Sequence, residues 1–505
     1  MRTAMNAPIR EFDPELTSRR PASWQERAEI AYPLLILLGI LLVVPANFGP
    51  PLLHDSFEID WVWADQFTAE LARGNLYPRW LPLSNAGLGS SVFYYYPPLS
   101  FYVSGLFGIA GMSTYGSVIA TFAAGFVASG ISCWHWLKGR ASQPLLGAVL
   151  FMAAPYHLFD FTVRGAQAES FAIAFIPLIA IGLRRIREER GGILFTAIAY
   201  AGIVFTHLPL ALLVSVFLIG PYALLHWRKL PRFAAAVAAG LGLVAIYLIP
   251  ALALAPYHDV NQLYRMVDLR TDYWNIYAVD WHRSYVIVVF SIMGAIIAAS
   301  LYPVLRRRDG WAAYAIAIAI LVAGVVPMLW ALPILKQVQF PYRGLPLAEF
   351  ALATALARLP AKPILPFLLA GPALLMSARI LPGFHIGEPA ISSLSGHHPD
   401  VYEYLPRGVI EPGRTREKLS EVTGPRLPPP RVPGMVVEPV FYFPAWSCGE
   451  PEPRTQLLMH RPDCRPHLIW TTPERIGGAI SACFALLLLA FGIGGRAARR
   501  KALAG

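Results

Sequence analysis

AEIAYPLLILLGILLVVPANFGPPLLHDSFEIDWVWADQF, residues 28–67, decides the fold. Its first half holds an uncharged apolar run, Ile30 to Phe48, close to the roughly 20 residues a helix needs to cross about 30 Å of hydrocarbon. Backbone in lipid can hydrogen-bond only to itself, so the run reads as a helix. Its second half turns at once into acids and aromatic rings, a polar cluster at the mouth of a span. Comparable apolar runs recur along the 505 residues, which are 56% hydrophobic and 14% charged with a mean hydropathy of +0.49. A soluble globule carries nearer a quarter charged residues, so the main solvent of this chain is lipid.

The net charge of +11 does not point to nucleic acid, because Lys and Arg fall in short clusters between apolar runs. That is the pattern of cytoplasmic loops. Arg2, Arg10, Arg19, Arg20 and Arg27 precede the first run without a small-residue cleavage site, as in an uncleaved anchor. Lys138/Arg140, Arg184 to Arg190, Arg228/Lys229/Arg232, Arg306 to Arg308, Arg358/Lys362 and Arg496 to Lys501 all become cytoplasmic in one threading. It predicts an all-α polytopic bundle of about 12 transmembrane helices, near 29–49, 113–137, 141–160, 168–183, 191–207, 208–227, 233–255, 284–305, 311–332, 345–360, 363–382 and 476–494. Pro98 to Met112 is apolar but short and reads as a juxtamembrane or re-entrant helix.

The predicted organisation is a cytoplasmic tail, 1–28; a transmembrane domain, 29–382, with its first external loop at 50–112; an external segment, 383–475; and a final helix with a basic cytoplasmic tail, 476–505. Both termini are expected in the cytoplasm of a bacterium, with the bundle in its inner membrane. Within 383–475, short β-branched and aromatic runs such as Met435 to Trp446 (MVVEPVFYFPAW), broken by Pro and Gly, predict a small β-rich appendage. Cys448 and Cys464 lie there and are candidates for a disulfide if that face is oxidising. Cys133 and Cys483 lie in apolar runs and read as packing residues.

Asp55, Glu58, Asp60 and Asp65 place four carboxylates within eleven residues, preceded by His54 and interleaved with Phe57, Trp61, Trp63 and Phe67. Such a group can supply a general base or oxygen ligands to a divalent cation, Mg or Mn, and the rings add an apolar wall. A solvated loop is the bland alternative for any one of the acids. Gly74 to Trp80 (GNLYPRW), which holds Arg79, and Phe93 to Pro98, which holds Tyr95, read as ordered non-helical loop. An aromatic belt explains the tyrosines but not Arg79. Arg164, Glu169, His207, His258 and Arg343 are further candidates on the same face, since charge at membrane depth faces a cavity or a partner. Arg164 and Glu169 can simply pair, Arg343 can anchor at the interface, and a lone His207 is more often a packing residue.

HDSFEIDWVWADQF, GNLYPRW, NAGLGSSVFYYYPPL, RGAQAESFA, THLPLAL, QFPYRGL, YEYLP and FYFPAW, in that order from His54 to Trp446, resemble the membrane glycosyltransferases of the GT-C class. The nearest resemblance is to the group labelled 6-pyruvoyl-tetrahydropterin synthase-related membrane proteins. No pterin chemistry follows from the label, and no CxxC, HExxH, Walker A or dinucleotide pattern is present. The resemblance implies transfer of a sugar from a polyprenyl-phosphate carrier to a glycan, lipid or protein acceptor on the periplasmic face. It implies a first-loop acid as catalytic base, Asp55 ahead of Glu58 and Asp60. Arg164, Arg343 or Arg79 would hold the carrier phosphate, and Trp61, Trp63 and Tyr94 to Tyr96 would stack on sugar. HDxxExD is not the commonest form of the class's acidic motif, which leaves the base and the metal open. A lipid-linked glycan flippase, a glycan polymerase or ligase, and a non-catalytic scaffold are the competing readings. One-sided placement of the polar motifs favours an enzyme over a flippase.

Overall fold

Helix α1 (Ala28–Val43) begins where the apolar run begins, after an extended Arg27, and gives way at Pro45 to a 3-10 turn, Val44–Asn47. The computed structural model describes residues 24–47, 56–258, 273–360, 364–380, 401, 404–409 and 430–504. His54 and Asp55 lie outside them. The chain resumes in α2 (Ser56–Ala72), and Pro98 to Met112 contains α3 (Leu99–Ile109), eleven residues long and too short to cross. Helix α4 (Thr114–Leu137) is capped by the Ser113 hydroxyl, which accepts the Gly116 N–H at 3.1 Å, and ends at Lys138. Pro144 opens α5 (Pro144–Met152), followed by the short α6 (Pro155–Phe159), a π turn at Asp160–Arg164 and α7 (Gln167–Ala172).

Among the described residues six helical stretches are long and apolar enough to cross a membrane: Ala28–Ala46, Thr114–Leu137, Pro144–Arg164, Leu208–Leu225, Ser284–Arg307 and Thr472–Ala490. The pair Trp227–Leu243 and Ala245–Tyr257, bent by 74°, makes a seventh if it is one span. Twelve full-length crossings are therefore not what the helices provide. Apolar runs counted as spans are interrupted: 168–183 is divided between α7 and Phe175–Arg187, and 363–382 between Ile364–Leu369 and Gly371–Ile380. Ile193–Val204, at 1.5 Å per residue, spans about 18 Å. Leu345–Ala357 is buried at all thirteen positions, which makes it a central helix of the bundle, with Trp311 and Phe350 edge-on nearby.

The stretch 430–471 contains a three-stranded antiparallel sheet, β1 (Val436–Phe441), β2 (Glu450–Pro451) and β3 (Leu457–His460), in the order β1-β3-β2. Cys448 and Cys464 are joined by a disulfide. Phe441, Phe443, Ala445 and Leu457 form a second apolar core with Trp80 and Tyr94 of the first loop and Leu254. The Phe441 N–H also donates to the Leu88 carbonyl at 2.7 Å. Cys133 is buried as expected, whereas Cys483 is exposed on the final helix, Thr472–Ala504, whose stretch Thr472–Ala490 mostly faces away from the bundle.

Candidate functional site

The π turn sets up the site. It ends at Gly165, whose φ of 62° is left-handed and whose α-hydrogen side stands so close to Phe57 that a Cβ there would lie 2.4 Å from Phe57 Cβ. Only glycine fits both constraints, and through it the turn lies against the first helical turn of α2. Asp60, one turn further along α2, is 3% exposed, and its Oδ2 accepts the Gln167 N–H at 2.8 Å. The acidic stretch, expected as loop but helical from Ser56, is thus clasped to the start of α7.

Glu169 on α7 is the hub. Its Oε2 accepts from Arg164 Nη1 at 2.6 Å and from Arg343 Nε at 3.0 Å, and its Oε1 accepts from the Tyr156 hydroxyl at 2.7 Å. His207 caps the helix that follows it, its Nδ1 accepting the Leu210 N–H at 3.3 Å. That leaves the proton of a neutral ring on Nε2, which faces Glu169 Oε2 at 3.7 Å. Arg164 also pairs with Asp160 at 2.8 Å, and Arg343 donates through Nη1 to the Val338 carbonyl and to Gln339. Phe340 and Tyr342 lie 5.7 Å from the Arg164 guanidinium, and Trp274 packs edge-on to Tyr342. Burial, followed by the charge of Asp60, raises the Tyr96 phenol well above its ordinary pKa, while Arg343 and Arg164 oppose the shift. Asp60, Tyr96 and the arginines therefore share one electrostatic neighbourhood.

The depth of this group follows from the chain. Arg164 ends the span Pro144–Arg164, His207 opens Leu208–Leu225, and Arg343 stands just before Leu345–Ala357. The other ends of these helices carry Arg140, Arg228 and Arg358. The group lies at the end of the bundle opposite its basic clusters. Arg343, with 10% of its side chain exposed against 5% for Arg164 and 1% for Glu169, is the most accessible of the three.

Other candidates fall elsewhere. Arg79 is ion-paired with Glu474 and boxed by Tyr77, Tyr94 and Trp470 at 5.6, 5.2 and 4.6 Å. The Tyr95 hydroxyl donates to the Leu254 carbonyl, and its ring meets His258 edge-on at 3.9 Å. His258 lies 3.3 Å through Nδ1 from the Leu405 carbonyl and 3.4 Å through Nε2 from Ser91 Oγ. Burial lowers its pKa to about 4. These three residues fasten the loop to the appendage and the final helix, and none of them is a hydrogen-bond or ion-pair partner of Glu169 among the described residues. On α2, Trp61 and Glu58 are half-buried, Trp63 is packed among Phe93, Tyr96 and Phe101, and Asp65 accepts the Thr114 hydroxyl at 2.7 Å.

Sequence reasoning missed Tyr156 and Asp160 because it ended a span at 160 and read the next residues as a turn. A polar pair four residues apart, Asp160 and Arg164, at the end of an apolar run was the available signal. No group of three or more His, Cys, Asp or Glu side chains among the described residues is arranged to hold a metal ion. The carboxylates of Glu169 and Asp160 are engaged by guanidinium groups, so this donor set does not fit a divalent cation.

Fold and site together define a mostly helical, multi-span membrane protein with a small sheet near its C-terminus and a buried arginine–carboxylate centre at one end of the bundle. Among solved structures the chain is similar to the cryo-EM structure of arabinofuranosyltransferase AftD from Mycobacteria, at 17% identity and a TM-score of 0.42 over 69% of this chain and 26% of that one. For an arginine mutant of the same enzyme, in its second class, the figures are 15%, 0.46, 72% and 30%. The chain thus spans less than a third of the length of these structures, and a likeness of this size carries no argument about activity. No family model and no curated protein matches it.

Proposed function

We propose that this chain is an integral-membrane glycosyltransferase that moves a sugar from a polyprenyl-phosphate carrier to an acceptor hydroxyl. The reaction takes place at the end of the bundle away from the basic clusters, which we read as the periplasmic face of a bacterial inner membrane. The observation that carries this reading is the convergence of Arg164 and Arg343 on Glu169 at the ends of membrane spans, in the same neighbourhood as Asp60. Two guanidinium groups held by one carboxylate, and balanced in charge by Asp160, form a rigid array of N–H donors with Arg343 as its accessible member. A lipid phosphate is the anion that reaches such an array from within the bilayer.

In this reading the acceptor oxygen attacks the anomeric carbon, the bond from that carbon to the phosphate oxygen breaks, and its electron pair leaves with the carrier. Arg343 and Arg164 stabilise the charge the phosphate gains. The acceptor proton passes to a first-loop carboxylate, for which we choose Asp55, ahead of Glu58 and Asp60. Asp60 already spends one oxygen on Gln167. The Cys448–Cys464 disulfide agrees with an appendage on an oxidising face.

The test is a transfer assay in liposomes with a radiolabelled polyprenyl-phosphate sugar, following release of free carrier. Arg343→Ala and Asp55→Asn should each lose about 100-fold or more in turnover; Asp55→Asn should leave thermal unfolding unchanged, whereas Arg343→Ala should also lower the unfolding temperature, because a partner of buried Glu169 is removed. Label that crosses the bilayer uncleaved would make the protein a transporter. Neither cleavage nor transport would make it a scaffold.

A further inference from the structure

Gln167 has a buried side chain with nothing to bond to. It is 1% exposed, yet neither its Oε1 nor its Nε2 has a hydrogen-bond partner among the described residues. A primary amide sealed from water without partners is unfavourable, and most buried amides in proteins are satisfied. Its backbone is fixed where it matters: the Gln167 N–H is held by Asp60, and two residues on stands Glu169, the hub of the arginine cluster. Ser170, three residues along and so on the same side of α7, is fully buried with an unpartnered hydroxyl.

We infer that Gln167, supported by Ser170, is a hydroxyl-reading subsite that recognises the sugar part of the donor. A carboxamide offers a donor and an acceptor side by side, the complement of two adjacent hydroxyls of a sugar ring, and the Ser170 hydroxyl can donate or accept. Phosphate would take the arginines, and the amide and hydroxyl have no charge to offer it. This inference rests on the glycosyltransferase reading and adds to it a residue that tells a sugar-loaded carrier from a bare one. Sites built to bond hydroxyls discriminate strongly, because their own polar groups are left unpaired by the wrong ligand.

Gln167→Met tests it, since methionine nearly matches the shape of glutamine and removes its hydrogen bonding. The full chain in nanodiscs would be titrated with undecaprenyl phosphate and with its glucose, mannose, galactose and arabinose adducts, and bound masses read by native mass spectrometry. Wild type should prefer at least one adduct over the bare carrier by about tenfold or more, and Gln167→Met should erase that preference with bare-carrier affinity within about twofold of wild type. Its melting temperature should be equal or higher, because an unpaired amide has gone. Ser170→Ala should weaken the same preference in part. A variant that keeps the wild-type preference overturns the subsite while leaving the transferase reading intact. A wild type that binds neither bare nor loaded carrier overturns both.

Discussion

Glu169 accepts hydrogen bonds from two guanidiniums and a phenol while almost fully buried, so its charge holds Arg164 and Arg343 in place at membrane depth. Removing one partner from such a group leaves the other charges buried and uncompensated, which costs about 3–5 kcal/mol. Glu169→Gln should therefore lower thermal stability in detergent by an amount of that order as well as abolish transfer. Arg343→Lys is the complementary change. A lysine keeps the charge but cannot reach Glu169 and the Val338 carbonyl together as Arg343 does, so turnover should fall with little loss of stability. Differential scanning fluorimetry beside the transfer assay separates the two. At this scale the sequence was readable in part. Arg164, Glu169, His207 and Arg343 stood out as ionisable groups beside apolar runs, but nothing in their spacing shows Arg343 reaching, across 174 positions, the Glu169 oxygen that Arg164 also holds. Arg79 looked like a member of that set, and only the fold reveals Glu474 and three rings around it.

Two elements position the site, and each can be perturbed alone. The turn after the π segment requires Gly165, for its left-handed φ and for the Phe57 side chain pressed against it. Gly165→Ala should cost about 1–3 kcal/mol and part α7 from α2, seen as reduced transfer together with faster hydrogen exchange in residues 165–172. The loop that carries Tyr95 is fastened by His258. Its folded pKa of about 4 lies below the ordinary histidine value, so the unfolded chain binds the proton more tightly. The sign follows: this contribution is fully present above about pH 6.5 and is lost as pH falls towards 4, by about 2 kcal/mol between pH 7 and 5. Exchange in residues 84–95, corrected for its intrinsic pH dependence, should quicken at pH 5, and His258→Phe should flatten that response. An unchanged loop at pH 5 would remove His258 as its fastening. The β-rich appendage was legible from Met435 to Trp446 because β-branched and aromatic runs broken by Pro leave few other options. The division of 363–382 into Ile364–Leu369 and Gly371–Ile380 was not legible, because hydropathy counts apolar residues without asking where the backbone bends.

On the scale of the whole molecule, the arginine–carboxylate centre lies at one end of a lipid-embedded bundle, and a small disulfide-bonded sheet packs on Trp80 and Tyr94 of the first loop. The membrane class was written in the composition, since so few charged residues cannot solvate a chain this long. Six or seven of the twelve expected crossings have helices of full length among the described residues; others, such as Gly310–Val322 within the run 311–332, are shorter helices that packing in the bundle stabilises. The central claim is that Arg343 and Arg164 form a seat for the phosphate of a lipid carrier. Native mass spectrometry of the protein extracted with its own lipids tests it most directly, with Arg343→Ala measured alongside. A polyprenyl-phosphate mass, bare or sugar-bearing, that is present on wild type and absent from the variant is the expected result. Wild type carrying only bulk phospholipid, under conditions that retain other bound lipids, would contradict it.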